Sequence, residues 1–173
     1  FMGDFTMKQI RRLTALLLML CVLFTLAAPA FAASSVQSEM KDSAEYMLSA
    51  VKAPEVGSIG GEWAVIGLAR SGCSVPANYF ESYYARVEKY VKDCKGVLHE
   101  RKYTEYSRVI LALTAIGKDP SNVAGYDLLK PLGDFEKTVW QGINGPIWAL
   151  IALDSGNYDI PKNSEAKTQA TRQ

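Results

Sequence analysis

Three apolar runs in this chain resemble one another, and each closes on a glycine. They cover residues 63–72, 108–117 and 147–156. From Gly72 to Gly117 is 45 residues, and from Gly117 to Gly156 is 39. Each run is apolar on nearly every side of a helix, which predicts a helix buried all round. A period of this length is typical of a repeat fold with one helical hairpin per unit.

Amphipathic segments alternate with these runs. Residues 35–53 carry an apolar stripe at helical spacing, and residues 77–95 divide into an apolar face and a charged face. Pro76 and Gly96 suit the two ends of the second segment. Residues 127–130 and 135–140 predict only short helices, and Asn163-Ser164 predicts the start of one more amphipathic helix.

This alternation predicts an all-α fold, a partial α/α toroid of helical hairpin repeats with outer amphipathic and inner apolar helices. An open HEAT-like solenoid is the alternative, although both helices of each of its pairs would keep a solvent face. The repeats are expected to end near residues 72, 117 and 156, within an incomplete domain over residues 33–173. Because the last predicted helix has hardly begun at Gln173, the chain is expected to be an N-terminal fragment.

The N-terminal residues follow the pattern of an export signal. Lys8, Arg11 and Arg12 precede an apolar run over residues 13–26, and Ala30-Phe31-Ala32 has the small residues of a cleavage site. A bilayer-spanning helix needs about 20 apolar residues, more than this run supplies. Residues 1–32 are therefore predicted to be a signal peptide with upstream residues, cleaved near Ala32, and a retained anchor is the alternative. The mature protein is expected outside the cytoplasm, secreted or at a bacterial cell surface.

The net charge of the predicted mature chain limits the kinds of molecule that it is expected to bind. Removing residues 1–32 leaves 16 basic and 17 acidic residues, so the mature chain is nearly neutral. Binding to nucleic acid depends on a basic excess that displaces counterions, and no such excess is present. Membrane contact is expected only through the signal segment. The sequence also lacks serine-nucleophile and phosphate-loop patterns, which argues against a hydrolase or a nucleotide-binding protein.

Two cysteines survive processing, Cys73 and Cys94. The predicted helix between them would hold them about 25 Å apart, whereas bridged Cα atoms lie within about 7 Å. Two buried thiols that act as small apolar side chains are therefore expected instead of a disulfide. Zinc bound by these cysteines and His99 is the alternative, but the paired-cysteine spacing of a structural site is absent, and no metal is predicted.

The segments 60–72, 106–120 and 140–150 resemble the prenyltransferase and squalene-cyclase-type repeats of the terpenoid-cyclase-like toroid superfamily. Gly61-Glu62-Trp63 matches the end of the repeat motif Q-x-x-x-G-x-W, Gln141 and Gly145 match its start, and Trp148 falls one residue late. The resemblance covers residues 35–173 and is closest to secreted bacterial members. Those proteins often carry a C-terminal transcobalamin-like module, so the resemblance implies cobalamin as one candidate ligand.

Enzymes of this superfamily carry motifs that this chain lacks. The cyclases protonate their substrate from D-x-D-D, and the prenyltransferases hold zinc through Asp, Cys and His. Neither set is present here. The sequence therefore favours an exported, non-catalytic repeat domain that binds a small apolar or flat ligand, or a surface protein, without an evident cofactor. The alternatives are an isoprenoid cyclase or prenyltransferase-like enzyme with catalytic residues outside this chain, and a corrinoid-binding protein.

Candidate ligand-binding residues lie at or near the starts of the three apolar runs. If those starts share one rim, their aromatic side chains would line a pocket, although packing alone also explains them. Two glutamates in corresponding first turns are acid or base candidates if desolvated, and favourable contact with the helix dipole is the simpler explanation. The candidates are Glu62, Trp63, Glu105, Tyr106, Trp140, Asn144 and Trp148.

Overall fold

A computed structural model describes the backbone of residues 2–58 and 60–172, and the side chains of residue 9 and of residues 11–22, 35–58 and 60–172. The chain divides into two units, Phe1–Ser43 and Ala44–Gln173. One long helix, α1 (Met2–Ala50), supplies nearly all of the first unit and the start of the second.

In the first unit, the apolar side chains between residues 13 and 22 are largely exposed, and Leu13 is 72% exposed. The predicted cleavage motif at residues 30–32 lies outside the described side chains. Among the residues that the structure describes, no helix has the length and apolar content that crossing a bilayer requires.

The second unit continues with α2 (Glu62–Arg70), α3 (Ala77–Asp93) and α4 (Thr104–Ala115). A 3₁₀ helix (Lys130–Gly133), the single-turn α5 (Phe135–Thr138), a second 3₁₀ helix (Val139–Gln141) and α6 (Asn144–Ser155) follow. The described residues form no strand, only two isolated β-bridges. The all-α prediction is confirmed.

The core of this unit lies around α4, which packs against α2 and against α6. Val109, Ile110 and Leu113 of α4 are almost completely buried. The amphipathic α3 adds its apolar face, with Tyr83 and Val87 fully buried, while its charged residues stay towards solvent. Helices α2 to α4 thus follow the predicted order of apolar and amphipathic segments.

Helices α2 and α6 depart from the prediction that each apolar run is buried all round. Trp63 of α2 is 43% exposed, and α6 departs further. Ala152 and Leu153 are buried, but Ile147, Leu150 and Ile151 are 45%, 40% and 43% exposed. The buried side of α6 faces α4, whereas the described residues only partly cover the side that carries Ile147, Leu150 and Ile151. The prediction was wrong for this side because hydrophobicity alone does not show which neighbours a helix has.

All three apolar helices end in the same way. The residue two positions beyond the last helical residue has a left-handed backbone: Gly72 and Gly117, with φ of +70° and +72°, and Asn157, with φ of +55°. Glycine is favoured in this conformation because it has no Cβ. Gly156 itself has φ of −118° and instead allows close contact with the ring of Tyr158.

The helix predicted to begin at Asn163-Ser164 does not form. Residues 157–172 run without helix, and Phe135 and Ala170 donate backbone hydrogen bonds to Thr168 and Gly133 at 3.0 and 2.9 Å. The Asn163 N–H donates to Gln169 Oε1 at 3.0 Å. These tertiary contacts satisfy backbone groups that a helix would otherwise pair locally.

Candidate functional site

The starts of the three apolar helices share one rim. Helices α4 and α6 run in the same direction, because the Thr114 and Tyr158 hydroxyls, beside their C-terminal ends, lie 3.1 Å apart while their N-terminal residues line a common pocket. This pocket measures about 280 Å³ and is called the tryptophan pocket below. Its lining residues are Trp63, Thr104, Arg108, Gln141, Asn144 and Trp148.

Two tryptophans form the apolar part of this pocket. The ring centroids of Trp63 and Trp148 are 5.4 Å apart, and their planes are inclined by 60°. Trp63 is 43% exposed and Trp148 is half-buried. The two rings therefore form an angled, solvent-accessible apolar wall, contributed by α2 and α6.

A buried ion-pair cluster lies behind the tryptophan pocket. Glu62 is fully buried, and its Oε2 accepts a hydrogen bond from Arg108 Nε at 2.9 Å. Its Oε1 accepts from the Gly57 N–H at 2.8 Å and from the Tyr83 hydroxyl at 3.4 Å. Arg108 Nη2 also donates to Glu105. One guanidinium thus links both predicted glutamates.

The pKa of Tyr83, the tyrosine that contacts Glu62 in the ion-pair cluster, is raised. Burial raises the pKa of Tyr83 far above its ordinary value, and the negative charge of Glu62 raises it further. Glu62 and Glu105 are both paired with Arg108. Sequence reasoning missed Arg108, although a lone arginine near the start of an otherwise apolar run was a signal for a buried partner.

Side-chain amides complete the rim of the tryptophan pocket. The backbone N–H and the hydroxyl of Thr104 both donate to Gln141 Oε1 at 3.0 Å. This arrangement fixes the amide of Gln141. Its Nε2, the side chain of Asn144 and Arg108 Nη1 make no hydrogen bond with the described part of the chain.

The structure places Tyr106 and Trp140 elsewhere. Both line a second, open cavity of about 770 Å³ together with Tyr103 and several lysines and acidic residues. The Tyr106 hydroxyl accepts from the Leu98 N–H at 3.1 Å, and burial raises its pKa to about 12. The guanidinium of Arg101 lies 5.8 Å from the centre of the Trp140 ring. Of the seven predicted residues, Trp63, Asn144 and Trp148 line the tryptophan pocket and Glu62 and Glu105 lie behind it.

The cysteines and histidine do not form a metal-binding group. Helix α3 lies between Cys73 and Cys94, and both are free, half-buried thiols. Burial raises the pKa of the Cys94 thiol. His99 Nδ1 accepts hydrogen bonds from the backbone N–H groups of Arg101 and Lys102, each at 3.1 Å. Within the described residues, no three His, Cys, Asp or Glu side chains are arranged to hold a metal ion.

Comparison of the chain with protein-family models, curated proteins and solved structures gives no match. The resemblance to toroid repeats therefore rests on the sequence segments alone.

Proposed function

We propose that this chain is an exported, non-catalytic repeat domain that binds a small flat ligand in the tryptophan pocket. The observation that carries this proposal is the convergence of the starts of α2, α4 and α6 on one pocket with a paired tryptophan wall. Small-molecule sites usually combine apolar and aromatic walls with a few fixed polar groups. This pocket has both.

The arrangement of helices supports a toroid of the terpenoid-cyclase-like type. Helices α2, α4 and α6 pack in sequence with their N-terminal turns at a common rim, as inner helices of such a ring would. The amphipathic α3 connects the first two of them. The exposed apolar side of α6, with Leu150 and Ile151, is where a further repeat would pack.

The polar groups of the tryptophan pocket support binding more than catalysis. Its described lining contains no carboxylate, imidazole or thiol. Glu62 and Glu105, the nearest acidic candidates, are held by Arg108. Because general acid–base catalysis needs a titratable group within reach of the reacting atom, this lining supports the binding proposal.

The size of the pocket favours a small ligand. About 280 Å³ lies just below the range of about 300–1,000 Å³ that encloses drug-sized molecules. A corrinoid is larger than such a ligand and would rest on the rim with most of its surface outside. A surface protein would likewise use the rim only as part of a broader contact.

Export is supported by the exposed apolar side chains of α1 between residues 13 and 22, which follow the basic residues of the signal pattern. Expression in a bacterial host with a general secretion system tests this point. We expect a secreted product whose mass corresponds to a chain beginning at Ala33. Full-length protein retained in the cytoplasm would contradict export.

Ligand binding is tested by calorimetric titration of the full chain with indole, cyanocobalamin and farnesyl diphosphate. Trp148 is one of the two tryptophans that line the pocket, so its truncation should remove the wall on which a flat ligand would rest. We expect indole to bind saturably to the unaltered chain and not to bind the Trp148→Ala variant. We expect mass spectrometry to show that farnesyl diphosphate remains unchanged. Conversion of farnesyl diphosphate would establish the enzyme alternative, and saturable binding of cyanocobalamin alone would establish the corrinoid alternative.

A further inference from the structure

The charges around the tryptophan pocket indicate a neutral ligand. The guanidinium of Arg108 lines the pocket, whereas the carboxylates that bind it lie behind it and do not. An incoming cation would meet the guanidinium first. An anion would meet a guanidinium whose charge two carboxylates already offset, and those carboxylates would repel it. Neither sign of net charge is favoured at the pocket.

The hydrogen-bonding groups at the rim favour a ligand that is rich in oxygen. Arg108 Nη1 and Gln141 Nε2 are donors without a partner among the described residues, because their other polar atoms bind Glu62, Glu105 and Thr104. Asn144 adds an exposed amide that both donates and accepts. A purely hydrocarbon ring would leave these groups without partners, whereas hydroxyl groups can pair with all three.

The tryptophan wall selects for ring shape. Aromatic faces carry partial negative charge, so they attract the weakly positive C–H groups of an apolar ring face. A pyranose with equatorial hydroxyls presents such C–H groups on its two faces and its hydroxyls around the edge. Trp63 and Trp148 would contact a face while Arg108, Gln141 and Asn144 would reach the edge.

We propose that the tryptophan pocket binds a neutral saccharide ring, stacked on Trp63 and Trp148 and hydrogen-bonded at its edge by Arg108, Gln141 and Asn144. This inference rests on the proposed binding function and names the chemical class of its ligand. The volume of about 280 Å³ equals that of about nine liquid water molecules, which suits one sugar ring of a longer oligosaccharide.

Calorimetric titration of the full chain with cellotriose tests the ligand class, because its ring hydroxyls are equatorial apart from the anomeric hydroxyl of the reducing-end α anomer. Indole, tetramethylammonium chloride, sodium benzoate and the acyclic polyol sorbitol serve as comparison probes. We expect cellotriose to bind at least about tenfold more tightly than tetramethylammonium, benzoate and sorbitol. Equal or tighter binding of either charged probe would overturn the inference.

Variants locate the site. We expect Trp63→Ala and Trp148→Ala to weaken cellotriose binding at least about tenfold, since truncated aromatic anchors have effects of this size. Asn144→Ala removes an exposed amide that makes no described hydrogen bond, so the fold should persist, and we expect binding about three- to tenfold weaker. The matched controls are Trp140→Ala and Asn122→Ala. Trp140 lies at the other cavity, and the side chain of Asn122 is exposed, as that of Asn144 is.

The possible failures are distinguishable. Binding of indole that requires Trp148, with no binding of cellotriose, would overturn the saccharide inference and leave the proposed binding function standing. Absence of binding to every probe would contradict both. Cellotriose binding that is insensitive to Trp63→Ala, Trp148→Ala and Asn144→Ala, or equally sensitive to Trp140→Ala, would place the saccharide elsewhere and overturn the inference.

Discussion

At the scale of single residues, Arg108 connects the core to the proposed site. It is 20% exposed and holds the fully buried carboxylate of Glu62. Removing one partner of a buried pair leaves the other charge uncompensated, which costs more than the pair contributes. We expect Arg108→Ala to lower the free energy of unfolding by about 2–4 kcal/mol in urea titrations.

Glu105→Gln is the matched comparison, because Glu105 binds the same guanidinium but its side chain is 22% exposed. Its loss should cost about 1 kcal/mol or less, as expected where water screens and replaces the interaction. An equal or larger effect of Glu105→Gln would show that Glu62 is not the principal partner of Arg108.

Alkaline pH should destabilise the fold through its buried tyrosines. Burial raises the pKa of Tyr106 from 10.0 to about 12, and burial followed by the charge of Glu62 raises that of Tyr83. Above pH 10 the unfolded chain releases these protons more readily than the folded chain. The contribution of these two tyrosines to stability is therefore fully present below pH 10 and is lost progressively as the pH rises from 10 to 12 and above.

Urea titrations at several pH values in this window test the expectation. Tyr106→Phe should lower stability at pH 7 by about 1 kcal/mol, through the lost hydrogen bond to the Leu98 N–H, and should reduce the steepness of the alkaline decline. Tyr46→Phe, at a position that is 74% exposed, is the control. An unchanged alkaline slope in Tyr106→Phe would show that Tyr106 does not carry the effect.

Sequence patterns predicted some residues of the tryptophan pocket and its ion-pair cluster and did not predict others. The aromatic and acidic residues at the helix starts were identified because helical periodicity places them at corresponding positions. Arg108 was missed because its partner Glu62 lies 46 residues earlier, and only packing of α4 against α2 brings them together. Tyr106 and Trp140 have the same sequence context as Trp63 and Trp148 but face a different cavity.

At the scale of elements, α6 offers a direct test of which apolar residues form the core. Leu153 is 2% exposed and packs in the core, whereas Ile151, two residues earlier, is 43% exposed. We expect Leu153→Ala to cost about 2–5 kcal/mol of unfolding free energy and Ile151→Ala less than about 1 kcal/mol. Similar losses in urea titrations would mean that both sides of α6 are covered in solution.

The non-helical segment 157–172 depends on close backbone contact at Gly133. A Cβ at this position would overlap the carbonyl oxygen of Pro161. We expect Gly133→Ala to detach the segment and to speed tryptic cleavage after Lys162 and Lys167 at least about tenfold, since protection reflects the free energy of local opening. Gly67→Ala is the control, because its Cβ would lie 3.5 Å from Met47 Cε, an ordinary contact.

The helices could be predicted from the sequence more fully than the tertiary contacts that each of them makes. Periodicity predicted α2, α3, α4 and α6, and glycine predicted two of the three left-handed ends, because both signals are local. The helix expected after Asn163 did not form, because backbone hydrogen bonds to Gly133 and Phe135 compete with it across 30 or more residues. The exposed side of α6 was not predicted for the same reason, because the burial of a helix face depends on which distant parts of the chain pack against it.

At the scale of the whole molecule, the core begins within α1 and not at the predicted processing site. Ala44 is 5% exposed, Met47 and Leu48 pack against the core, and the Val51 carbonyl accepts from the Tyr79 hydroxyl at 2.9 Å. Residues 1–43 form a separate unit. A chain cleaved near Ala32, as predicted, would therefore retain every residue of the second unit.

Two truncations test where the stable domain starts. A chain beginning at Ala33 should unfold at the same temperature as the full chain within about 2 °C, measured by circular dichroism. A chain beginning at Lys52 loses the buried Ala44 and the half-buried Met47, Leu48 and Val51, which together contribute about 3 kcal/mol, and should unfold at least about 10 °C lower. If the two truncated chains unfold at the same temperature, the last turns of α1 contribute nothing to the stability of the core. If the chain from Ala33 is itself strongly destabilised, residues 1–32 contribute to the stability of the second unit, and the predicted cleavage near Ala32 would lower it.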